Sequence, residues 1–83
     1  MPLFMDVHNR VPGLTAEAAA AAHQKDLAVQ AKYGVKFLRY WYDEATGKIF
    51  CLSWAPSREA AVAVHREAHG MVADEIIEVQ EGS

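Results

Sequence analysis

His65 and His69 stand four residues apart in the run His65-Arg66-Glu67-Ala68-His69, the tightest pair of imidazoles in the chain. On a helix such a pair shares one face, so two neutral ring nitrogens could chelate one late first-row divalent ion. The residue after His65 is Arg66 and not glutamate, which separates this run from the metalloprotease helix. The same pair can also be read as two imidazoles at a helix C-terminus, where positive charge is favoured. Asp6 and His8 are two apart in an alternating segment and share a strand face, where Asp6 would add a hard oxygen ligand. His8 by itself also reads as a polar strand end facing solvent or a partner. His23 falls beside Ala16, Ala20, Leu27 and Ala31 on a helical wheel, which makes it a packed histidine rather than a ligand. Cys51, between Phe50 and Leu52, reads as a small buried hydrophobe, with a thiolate ligand as the alternative. The rings of Tyr40, Trp41, Tyr42 and Trp54 suit a core or an interface. No nucleophile elbow, glycine-rich phosphate loop or pair of catalytic carboxylates is present.

These side chains need elements to position them. Leu3 to His8 alternates as a strand with Met5 and Val7 on one face and Asp6 and His8 on the other, and Val11-Pro12-Gly13 ends it. Thr15 is a suitable N-cap for a helix running to about Lys32, with Gly34 closing it. Val35 to Tyr42 and Ile49 to Trp54 have β composition and flank a turn at Asp43 to Lys48, a hairpin. Ser57 can cap a second helix from Arg58 to His69, ended by Gly70, and Asp74 to Val79 reads as a last strand. On the second helix Ala61, Val64, Ala68 and Val72 form the expected buried stripe, and Glu59, Arg66 and Glu67 the wet side. His65 and His69 then fall on the shoulder, both reaching water.

The order βαββαβ fits an α+β, ferredoxin-like plan, a four-stranded antiparallel sheet with both helices on one face. That topology brings His8, His69 and Asp74 to one rim. The hairpin strands carry apolar and aromatic residues on both faces, so the open sheet face calls for a cover, most simply a second copy of the chain in a homodimer.

Eighty-three residues fit one domain spanning 1–83. Eight basic against eleven acidic side chains give a net charge of −3, which argues against nucleic acid as partner. One cysteine cannot form an intrachain disulfide. The first ten residues lack the basic segment and apolar run of a signal peptide, and no apolar stretch approaches the ~20 residues of a membrane span. A cytoplasmic protein without a membrane partner is expected.

The runs Val35 to Tyr40 and Lys48 to Pro56, then Glu59-Ala60-Ala61-Val62 with His65, then Gly70 and Ile76-Ile77-Glu78-Val79, are similar to a family of small bacterial domains of unknown function. More closely, the chain resembles a nickel-binding member of that family, a ferredoxin-like homodimer that holds nickel on its surface and is linked to the nickel response. Cys51 and His65 match the family pattern, whereas His8, His23 and His69 are assigned from geometry. The resemblance implies a non-enzymatic protein that holds Ni(II) through surface histidines for sequestration or response. The metal-ligand candidates are His8, His65, His69 and Asp6. Cu(II) would bind such a set more tightly and Zn(II) comparably. A small dimeric oxygenase or isomerase-like enzyme, with an organic ligand between helices and sheet, is the alternative. A pure protein-interaction module using the open sheet face is a third reading.

Overall fold

The computed structural model describes residues 2–82. The elements follow the expected order: β1 (Leu3–His8), α1 (Ala16–Val29), β2 (Lys36–Asp43), β3 (Lys48–Trp54), α2 (Arg58–Ala68) and β4 (Glu75–Val79). The sheet order is β2-β3-β1-β4, every pair antiparallel. This is the ferredoxin-like arrangement, with the chemistry-bearing strands β1 and β3 in the middle of the sheet.

Helix α1 starts where the Thr15 hydroxyl accepts the Ala18 N–H at 3.1 Å. It ends three residues earlier than the sequence suggests, passing into a 3-10 turn over Gln30–Tyr33 before Gly34, whose φ of +69° closes it. Helix α2 is capped by the Ser57 hydroxyl, which accepts the Ala60 N–H at 3.2 Å. Behind His69, Gly70 adopts φ +80° and its N–H returns to the His65 carbonyl at 2.9 Å, so the chain leaves the helix directly after the second histidine.

Phe4, Leu14, Ala19, Val35, Phe37, Ile49, Ala55, Ala61 and Val64 form the core between sheet and helices. The buried stripe of α2 is displaced from the expected one. Val72 lies beyond the helix and is exposed, and His65 takes a place in the interior beside Ala61 and Val64. On α1 the buried residues are Ala19 and Asp26, whereas Ala20 is exposed. A helix made largely of alanine has little apolar asymmetry, so its rotation is decided by what its few large side chains reach.

The far face of the sheet carries Leu3, Met5 and Val7 from β1, opposite Trp54, Leu52 and Phe50 of β3. Trp41 pairs with Phe50 on one side, and Ile77 with Met5 on the other. Trp41 is 46% exposed, Trp54 37% and Ile77 48%. Among the described residues no helix is long and apolar enough to cross a membrane.

Candidate metal centre

Strand alternation places Phe4, Asp6 and His8 of β1 under the helices, and Asp6 pairs across the ladder with Cys51 of β3. Two polar side chains and a thiol thus occupy mid-sheet positions on the core side, where apolar residues are the rule. All three are buried, as is His65 above them.

His65 does not reach water, contrary to the expectation of a shoulder position: it is only 1% exposed. Its Nε2–H donates to Asp6 Oδ2 at 2.5 Å and its Nδ1–H to Asp26 Oδ1 at 2.9 Å. Burial opposes a charge on the ring. The hydrogen bonds to Asp26 and Asp6 overcome that penalty, so the imidazole stays protonated up to a pKa of about 11. The two carboxylates are the physical reason a charged ring can be drawn into the core. Burial likewise tends to raise the Asp26 pKa, but the hydrogen bonds from His65 and His69 bring it below the usual carboxylate range.

His69, at the end of α2, points its Nε2 at the same Asp26 Oδ1 at 3.0 Å, and the two imidazole nitrogens stand 3.3 Å apart. The Met71 N–H donates to His69 Nδ1 at 3.1 Å, so the ring carries its proton on Nε2 and donates it to Asp26. One carboxylate oxygen therefore collects two imidazole N–H groups.

His8 packs edge-on against the His65 ring with centroids 5.2 Å apart. Its burial and the neighbouring His65 charge hold its pKa below the ordinary value. Burial pushes the Cys51 thiol up. His23 is half-buried rather than packed away, and its ring lies 4.6 Å from that of Tyr40. Asp74 reaches the expected rim, but its carboxylate accepts the Asn9 N–H at 2.7 Å and clamps the strand end.

A cavity of about 20 Å³ opens among these groups, lined by His8, His23, Asp26, Cys51, His65 and His69 together with Tyr40, Met71 and smaller apolar residues. Within it, Asp26, His65 and His69 offer ligand atoms close enough to share one ion, and so do His8, Cys51 and His65. Asp6 stands behind His65, off the cavity wall, and its Oδ1 has no hydrogen-bond partner. Asp26 was not among the expected candidates. Its position one turn from both His23 and Gln30 in an alanine-rich helix carries no metal-binding signature, and only the docking of α1 on α2 reveals it.

The fold and this cluster together define a small ferredoxin-like α+β domain with a carboxylate–imidazole centre between helices and sheet. The chain belongs to the family of nickel-responsive proteins described as SCO4226-like, whose model matches residues 4–79. The crystal structure of SCO4226 from Streptomyces coelicolor A3(2) is similar to it with a TM-score of 0.91 and 47% sequence identity, covering 98% of this chain and 99% of that one. No curated protein matches the chain at a significant level.

Proposed function

We propose that this protein binds nickel(II) for sequestration or nickel response rather than for catalysis, and that it does so as a homodimer through its open sheet face. Nickel is the cargo. The observation that carries the reading is the triangle of Asp26 Oδ1, His65 Nδ1 and His69 Nε2, with edges of 2.9, 3.0 and 3.3 Å. Ligands at right angles around an ion with bonds of about 2.1 Å stand about 3.0 Å apart, and tetrahedral ones about 3.4 Å. The three edges span both values, so the triangle brings three donors within reach of one late first-row ion, and the choice of nickel rests on the family and not on these distances.

In this reading an ion replaces the protons that now hold the three groups together. Asp6 keeps the His65 Nε2–H and aims Nδ1 at the metal, the carboxylate–histidine arrangement common at metal ligands. His8, on the same cavity wall, is a further donor. The cavity also weighs against an organic ligand between helices and sheet, since about 20 Å³ holds an ion or a water, while organic ligands occupy roughly 300 Å³ or more.

Calorimetric titration with Ni(II) tests the proposal. His69→Ala, which trims the helix end and leaves the Asp6–His65–Asp26 core in place, should weaken binding by at least about tenfold with little change in the thermal melt. Parental affinity in that variant would remove the site from the end of α2.

A further inference from the structure

The nickel reading leaves two cavity donors outside its triangle. His8 and Cys51 come from the neighbouring central strands β1 and β3, both on the core face and both buried. With His65 they present two imidazole nitrogens and one thiol sulfur, all within 4.8 Å of one another. The thioether-bearing Met71 lines the same cavity.

We infer that His8, Cys51 and His65 form a second, softer metal site whose ion is copper(I). A thiolate with two imidazoles is a donor set that copper accepts readily, and a thioether nearby is a weak further ligand that hard ions do not use. Cu(I) is content with two or three ligands, which suits a buried pocket with room for about one ion and no shell of waters. Binding forms a Cu–S bond as the Sγ–H proton passes to solvent and a Cu–N bond to His65 as that imidazolium releases one of its two ring protons to solvent; the copper enters and stays as Cu(I), so no electron moves. His65 belongs to both groups and the cavity holds about one ion, so Cu(I) and Ni(II) exclude each other. Nickel capture does not require Cys51, and copper capture does not require Asp26 or His69. The assignment therefore stands apart from the nickel triangle.

Anaerobic titration of the full chain with Cu(I) against bicinchoninate is the test. The wild type should take one Cu(I) per chain with a thiolate-to-copper absorption band. Cys51→Ser should lose that band and at least about tenfold in Cu(I) affinity while binding Ni(II) as before. His69→Ala should keep copper and lose nickel. Should Cys51→Ser fold poorly, Cys51→Ala puts the same question, predicting lost copper and kept nickel. Cu(I) bound equally well without Cys51, or without any sulfur band, overturns the inference. A wild type that binds Cu(I) with the band but ignores Ni(II) upholds it and instead defeats the nickel reading.

Discussion

His65 is the residue on which both stability and metal capture turn. Its pKa is raised to about 11 in the folded protein, against about 6.5 when unfolded. The contribution is fully present below about pH 6.5. Above that the native state binds one more proton than the unfolded one, and stability declines by about 1.4 kcal/mol per pH unit until the folded pKa is reached. Denaturant melts of the metal-free protein between about pH 6 and 9 should show that slope, and His65→Gln should flatten it. Nickel has to displace the same proton. Its affinity should therefore climb about tenfold per pH unit over this interval, beyond the range in which an ordinary histidine titrates. Proton release measured by titration in buffers of different ionisation enthalpy checks this, and a flat profile would place the ion away from His65.

At the scale of elements, α2 is a short capped rod that delivers two imidazoles from its last turn. Ser57→Ala removes the hydroxyl that receives the Ala60 N–H and should cost about 1 kcal/mol of stability. Nickel affinity in the folded protein should be untouched, since the cap lies at the other end of the helix from His69. The segment after α2 should respond to the metal. Coordination through His69 Nε2 forces the ring proton onto Nδ1, where the Met71 N–H now points. That hydrogen bond must break. The Met71 amide should be among the resonances most shifted by Ni(II) in a nitrogen–proton correlation spectrum, and an unmoved Met71 signal would exclude Nε2 as the ligand atom.

At the scale of the whole molecule, the two faces of the sheet have opposite characters. The inner face spends its central positions on Asp6, His8, Cys51 and Ser53, while the outer face presents Leu3, Met5, Trp41, Leu52, Trp54 and Ile77. Trp41, Trp54 and Ile77 stay 46%, 37% and 48% exposed there, apolar surface of the kind that marks an interaction site. Sedimentation at low micromolar concentration should return twice 9.2 kDa. Trp41→Glu, which puts a charge on the outer face at the edge strand β2, should yield a folded monomer. A monomeric wild type would leave the outer face without a cover.

The chain order, strand and helix identities and caps were legible in the sequence because they rest on local signals: alternation in Leu3 to His8, hydroxyls at Thr15 and Ser57, glycines at 34 and 70. The gathering of His8, His65, His69 and Asp6 was legible too, because the topology constrains where strand and helix ends meet, but Asp6, expected as a ligand, meets His65 and stands off the cavity wall. The burial of His65 and the entry of Asp26 were not. A helical wheel assigns a histidine by polarity to the shoulder, but burial of an imidazole is decided by whether its two nitrogens find acceptors. Those acceptors lie 59 and 39 residues away in the chain. Likewise the alanines of α1 left its rotation open until Asp26 could meet His65 and His69. Local sequence settles which backbone groups bond to near neighbours, whereas pairing of buried charges between distant segments exists only once the helices are docked on the sheet.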